Sequence, residues 1–271
     1  MLEELERNLR ALRARAYVRV AATFRELSWL VFEVVMPLLS IGAYVFFYRA
    51  LGAPERYVGY VVLGGAMTAY WLNVLWSLAS QFYWEKQSGQ LEIFFLTPVS
   101  LMSLLAGMAT GGMFMSSARA VGTVVIGSWL FGVDYRFDGI WAGLGIFLLT
   151  LVALYGLGMV GASVFMMYGR EAWHTSNLLQ EPVYLLSGFF FPVRALPRWV
   201  AAAAGIIPIT LGLDAIRQLV FPEAVDGLLP PGVEAALLAA AAAGFLFLAR
   251  AALRRLEYLA KREGRLTLRW Q

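Results

Sequence analysis

Apolar residues along this chain come in runs of about 20, the length an α-helix needs to cross a hydrocarbon layer about 30 Å thick. The runs fall at Leu27 to Tyr48, Tyr57 to Phe82, Met102 to Phe131, Ile140 to Met166, Ser176 to Phe191 with a continuation from Trp199 to Leu213, and Val233 to Leu253. The fifth is interrupted. Its first half, SNLLQEPVYLLSGFFF, reaches roughly 24 Å as a helix, and PVRALPRW follows. There Pro192 and Pro197 cannot continue a helix, and Arg194 and Arg198 require water or a head group. The next arm is again short and holds Pro208. Two short arms around a proline-bracketed polar turn predict a span followed by a re-entrant helix pair, whereas two full spans would put the chain ends on opposite sides.

Ahead of the first run, Leu2, Leu5, Leu9, Leu12, Ala16 and Val20 recur at steps of three and four, with Arg7, Arg10, Arg13 and Arg15 on other faces. That pattern predicts an amphipathic helix on the membrane surface; a charged helix docked on a partner is compatible with it. The segment is charged throughout and lacks the apolar core of a cleavable signal. The fold expected is all-α and membrane-integral. Residues 1–26 form the amphipathic helix, 27–253 a six-span domain, and 254–271 a basic tail. Within the domain, 83–100 is a helical segment between spans two and three, and 189–222 the re-entrant pair.

Composition agrees: of 271 residues 60% are hydrophobic and 15% charged, with mean hydropathy +0.67, against roughly a quarter charged in soluble domains. The net charge of +4 marks a membrane face rather than nucleic acid. With six spans most Lys and Arg gather on the side of both chain ends, so the positive-inside rule puts both termini in the cytoplasm of a cell-membrane protein and the re-entrant pair outside.

Chemistry narrows by elimination. There is no cysteine, which removes thiol catalysis and thiolate metal sites. The only lysines, Lys86 and Lys261, follow Glu85 and Ala260, so no P-loop is present. Neither G-x-S-x-G nor H-E-x-x-H occurs. Glu171 and His174 sit three apart, but a di-iron site needs a second such pair and His174 is the sole histidine. No metal and no catalytic residue is assigned. Glu33, Arg119 and Glu181 lie inside apolar runs, where an unpaired charge costs about 2.5–3.5 kcal/mol. Pairing of Arg119 with one of these glutamates is expected, with an ion-coupled relay as the alternative. Trp71, Trp76, Phe46 and Phe47 are candidates to line a path, although aromatics also face lipid or pack helices. Gly107 and Gly111 form a G-x-x-x-G packing motif.

The stretch EKQSGQLEIFFLTP, Glu85 to Pro98, is polar through Glu85, Lys86, Gly89 and Glu92 and apolar through Leu91, Ile93, Phe94, Phe95 and Leu96. A short helix there, ending near Thr97 and Pro98, presents its charges to the cytoplasm as a docking element. This stretch resembles the run E-(R/K)-x-x-G-T-L-E-x-L-x-x-(T/S)-P of type-2 ABC exporter permeases, the family that includes daunorubicin-resistance-like exporters. The later GFFFPVRALPRW resembles the family's second motif: Gly188, Phe191, Pro192, Leu196, Pro197 and Trp199, then Pro208, Asp214 and Arg217. Gln90 departs from the family's usual threonine.

The resemblance implies that Glu85 to Thr97 is a coupling helix seated in a separate ATPase, that Leu2 to Val20 is a connecting helix beside it, and that the re-entrant helices close the outer end. It implies two ATPase subunits, which carry the ATP and Mg, and a second permease copy or close paralogue. The permease itself performs no bond chemistry and binds no cofactor. A drug-like or lipid-like substrate is expected, with polysaccharide export, or ion-coupled transport through Glu33, Glu181 and Arg119, as alternatives.

Overall fold

Where no water can satisfy peptide groups the chain must close its hydrogen bonds within helices, and each apolar run does so. The computed structural model describes residues 2–25, 27–168, 171–221 and 227–263, so Arg170 and the tail beyond Glu263 lie outside the described residues. Among those described, every regular element is helical: α1 (Leu2–Phe24), α2 (Leu27–Ala50), α3 (Arg56–Leu72), which continues as a π-helical stretch (Asn73–Leu78), α4 (Gln81–Gln87), α5 (Gln90–Leu96), α6 (Leu101–Phe131), α7 (Ile140–Tyr168), α8 (Glu171–Leu186), a 3₁₀ turn (Val193–Ala195), α9 (Arg198–Ala204), α10 (Pro208–Val220) and α11 (Pro231–Glu263).

Among the described residues five segments are long and apolar enough to cross a membrane: Val31–Ala50, Arg56–Glu85, Leu101–Phe131, Ile140–Phe165 and Pro231–Tyr258. With 16 residues α8 falls short of that length. It starts just after α7 ends, and the carbonyls of Gly188 and Phe189 beyond its last turn meet Arg217, which also binds the carbonyl of Tyr60 near the start of α3. At that same end the amide of Arg136, just before α7, donates to Val220 at the close of α10 (2.7 Å). The axes of α9 and α10 meet at 105°. By length and composition the described helices supply five crossings, or six if the bent pair α9–α10 is one span, whereas the expected order has α8 cross and the bent pair re-enter.

The innermost crossing is α3, buried almost continuously from Val58 to Trp71. It packs on α6 and α2, while α7 carries α10 on one side and α11 along its length. Exposed apolar side chains concentrate on the outer faces of α2 (Val31, Val35, Leu39, Phe46, Phe47) and α11 (Leu237, Phe247, Leu248), as expected of surfaces that meet lipid or another chain rather than water.

One helix pairing was only half visible in the sequence. Gly107 and Gly111 of α6 are the seat of α1: a Cβ at 107 would stand 2.5 Å from the Leu12 carbonyl oxygen, and one at 111 would stand 2.9 Å from Cβ of Arg19. Two glycines one turn apart thus let the helix backbones approach closely. The predicted apolar stripe of α1 is split accordingly. Its Leu12–Arg15–Ala16–Arg19 flank turns to α6, while Leu5 and Leu9, with Tyr17 and Val18, stay exposed and available to a membrane surface.

Candidate coupling element, groove and outer turn

The polar stretch between the second and third spans folds as two seven-residue helices, about two turns each, separated by Gly89, which adopts a left-handed φ of 74°. Gln81–Gln87 continues the second span, and Gln90–Leu96 turns off it. Leu91 is buried in the main core. Beyond Leu96 the chain extends at Thr97, whose hydroxyl donates to the Phe94 carbonyl (2.8 Å). Ser100 then caps α6 by accepting from the Ser103 amide (3.1 Å).

This turn is clamped to α1. Arg7 Nε donates to the Pro98 carbonyl (2.7 Å), and Asn8 Oδ1 accepts from the Ser100 amide (3.0 Å). Arg19 donates to Gln81 Oε1 (3.4 Å). Arg15 lies over the Phe94 ring at 4.5 Å and forms an ion pair with Glu85, whose Oε1 also accepts from Gln81 Nε2 (3.0 Å).

Here the expectation for Glu85 needs correcting. It does not present its charge to the cytoplasm: it is 3% exposed, because a carboxylate on the inward side of α4 finds its cation on α1. Two apolar side chains of the turn are exposed, Leu96 at 87% and Ile93 at 59%, beside the polar Gln87, Ser88 and Gln90. Lys86 and Glu92 belong to α4 and α5, but their side chains lie outside the described residues, as do those of Glu171 and His174.

The intramembrane charges come together in part. Arg119 Nε stands 2.7 Å from Glu33 Oε2, close enough for an ion pair although the N–H is not aimed along that line. Glu181 does not join them: its hydrogen bond is from the neighbouring Gln180 (3.3 Å). All three line one groove of about 920 Å³ between α2, α3, α6 and α8. Its other walls mix aromatic side chains (Tyr44, Trp76, Tyr184, Phe190, Phe191) with aliphatic and polar ones such as Met36, Leu72, Ser40 and Asn73. Trp76 lies in the π-helical stretch and donates to Gln180 Oε1 on α8 (2.6 Å). Of the other aromatic candidates, Trp71 is buried in the core, and Phe46 and Phe47 point away from the protein.

At the opposite end the turn that joins α8 to α9 is organised by Arg217, 1% exposed. Its Nη1 donates to Gly188 (2.7 Å), and its Nη2 donates to Tyr60 (2.6 Å) and Phe189 (2.8 Å), with the Tyr60 ring 4.8 Å away. Gly64 makes room, since any Cβ there would overlap the Phe189 carbonyl oxygen. Pro192 and Pro197 sit immediately before the 3₁₀ turn and α9, and Pro208 opens α10, positions where a missing N–H costs nothing. Phe191 lines the groove, Leu196 packs on the Val193–Ala201–Ala204 cluster, and Trp199 projects outward.

Asp214, in the same motif, does not touch the turn. It accepts from the Leu228 amide (2.6 Å) and from Gln218 (3.2 Å), which also reaches Glu234 (3.3 Å). Glu234 is fully buried and was missed, although as a charge within the last apolar run it carried the same signal as Glu33. Arg15 and Arg19 were missed as clamp residues because nothing local marks their partners.

Among the described residues no group of acidic side chains and histidines is arranged to hold a metal. The family model described as "ABC-2 type transporter" matches residues 8–221. The chain is also 24% identical over 144 residues to the "Probable multidrug ABC transporter permease YbhR" of Escherichia coli strain K12, and equally to that of Escherichia coli O157:H7. The match covers 52% of this chain and 38% of those relatives, so the chain spans well under half of their length.

Proposed function

The chain belongs to the ABC-2 type transporter family, and with that as premise we propose that it is the membrane subunit of an ATP-driven exporter for hydrophobic or amphipathic solutes. The observation that carries this reading is the turn at Gly89–Pro98. It exposes apolar Ile93 and Leu96 of α5 while α1 holds it through Arg7, Asn8 and Arg15. An exposed apolar tip on a rigid mount suits a protein partner better than it suits water. The partner is an ATPase subunit, present in two copies with two permeases, and it supplies the ATP and Mg. This chain carries out no hydrolysis.

Sidedness follows from charge. Arg7, Arg10, Arg13, Arg15 and Arg19 on α1 and Arg250, Arg254 and Arg255 on α11 lie toward one end, which the positive-inside rule makes cytoplasmic. The Arg217 turn is then extracellular. The groove leads from the arginines of the inner end to Phe190 and Phe191 beneath that turn. Cassette closure acts on the Ile93–Leu96 tip, and only differences in that contact between nucleotide states shift the permease between its own states. The mainly aromatic and aliphatic walls favour a drug-like or lipid-like cargo. A continuous ion relay is not supported, since Glu33 is taken up by Arg119 and Glu181 stands apart from both.

The test is co-purification with a candidate ATPase encoded beside it, comparing wild type, Leu96→Asp and Ile93→Asp. The expected result is a two-plus-two complex whose assembly and coupled ATP turnover collapse in the variants while their thermal stability stays at the wild-type value. A wild-type chain that binds no ATPase under any nucleotide condition refutes the reading.

A further inference from the structure

Beside the groove, where α1 crosses α6, a second cavity of about 340 Å³ is walled by Arg15, Arg19 and Arg119, together with Asn73 and Gln81, and among the described residues no carboxylate lines it. Arg15 is ion-paired with Glu85 and Arg119 with Glu33, whose Oε2 stands 2.7 Å from Arg119 Nε. The Nε–H of Arg15 is buried without a hydrogen-bond partner. Burial lowers the pKa of Arg19, and the charges of Arg119 and Arg15 push it the same way. Three guanidinium groups around one space repel each other, and a buried donor left unmade costs about 1–3 kcal/mol. A single anion with several acceptor oxygens relieves both penalties, and the planar guanidinium fork matches phosphate geometry.

From this arrangement we infer that the cavity binds the phosphate head group of an anionic phospholipid, which ties α1 to α6 and to the coupling turn. The inference rests on the reading of the chain as a membrane subunit. A lipid fits better than free phosphate for two reasons. Val18, which lines the cavity, is 58% exposed, so the mouth opens at the outer face of α1, which the amphipathic reading lays against the membrane. Arg19, Asn73 and Arg119 also line the 920 Å³ groove, where Phe32, Met36 and Leu72 lie beyond them. A head group at the arginines therefore has apolar wall for its acyl chain. Basic pockets between membrane helices near the cytoplasmic face are a recurrent way of holding acidic lipids.

The test uses the full chain in neutral detergent, with thermal unfolding followed by tryptophan fluorescence. The additions are dioleoylphosphatidylglycerol, dioleoylphosphatidylcholine or inorganic phosphate. The expected result is a rise in Tm of roughly 5 °C with saturating phosphatidylglycerol, with little change from the other two. Arg19→Gln, and Ala22→Trp, which fills the cavity while keeping every arginine, should lose the rise. Arg136→Gln, at the far end of the molecule, should keep it.

Equal stabilisation by phosphatidylcholine overturns the inference. Phosphate alone reproducing the effect assigns the site to a free anion and overturns the lipid. An undiminished response in folded Arg19→Gln or Ala22→Trp overturns the site. Should neither variant fold, discrimination among the three additions by the wild type decides. No ATPase is present in this assay, so its failure leaves the exporter reading standing, and failure of ATPase binding leaves this result standing.

Discussion

Neutralising either member of the Arg15–Glu85 pair strands the other in a site built for two charges, and the size of that effect can be worked from the contacts. The Glu85 side chain is 4% exposed and that of Arg15 22%. Removing one partner of a fully buried pair costs about 3–5 kcal/mol, because an uncompensated charge remains. Arg15 keeps some solvent and its Phe94 contact, and Glu85 keeps Gln81, so each single change, Arg15→Met or Glu85→Met, should cost about 3 kcal/mol, the lower end of that range. Replacing both leaves no stranded charge and should cost only about 1 kcal/mol, since apolar pairs substitute well for buried ionic ones.

In melting temperature, at roughly 2–4 °C per kcal/mol, the singles fall by about 6–12 °C and the double by about 2–4 °C. Thermal unfolding in detergent measures this, and trypsin cleavage at the α1 arginines reports whether that helix has come away: fast in the singles, near wild type in the double. Additivity of the two single effects to within about 0.5 kcal/mol would falsify the clamp and return Glu85 to the role of a partner-facing charge.

Arg217→Met should leave the carbonyls of Gly188, Phe189 and Tyr60 unpaired and lower stability by about 3–5 kcal/mol, read as Tm and yield of folded protein; a loss of less than about 1 kcal/mol would show that the outer turn holds without it. Gly107→Leu should push α1 off α6, visible as rapid proteolysis of α1 with the transmembrane core still folded, and protection equal to wild type would contradict the close approach. Arg119→Leu should destabilise more than the paired substitution Arg119→Leu with Glu33→Leu, by about 1–2 kcal/mol, since the single change strands Glu33; equal Tm values for the two would mean that the pair is not formed.

Span positions, the break after the fifth run and the overall all-helical class were legible because hydrocarbon thickness and proline geometry leave marks on a local window of sequence. The π-helical stretch was not: NVLWSL contains no breaker, and the additional residue in its turn is accommodated by what packs around it, with Tyr155 donating to Asn73 (3.0 Å) and Gln180 accepting from Trp76. In the stretch Glu85 to Pro98 the expected exposure of Glu85 was wrong. Glu85 reads as a surface charge beside Lys86, and its cation lies 70 residues away on a helix whose arginines all look solvent-facing. Asp214 and Arg217 share one motif but serve different neighbours, because residues three apart on α10 turn away from each other by about 60°. Periodicity predicts which side of a helix is apolar; it does not say which polar partner has been folded over that side.

The helix of the third apolar run, α6, also has the proportions of a mechanical beam. Its 31 residues make it about 46 Å long. One end is fixed to α1 through Gly107, Gly111 and the Asn8–Ser100 bond; at the other, the Phe131 carbonyl holds Arg49 of α2 (2.9 Å). With its fulcrum at mid-length, where it packs on α3, a push of about 2 Å at Pro98 tilts the beam by about 5° and swings Phe131 about 2 Å the opposite way. The outer end of α2, and with it the mouth of the groove, is thereby geared to the docking turn by one rigid rod.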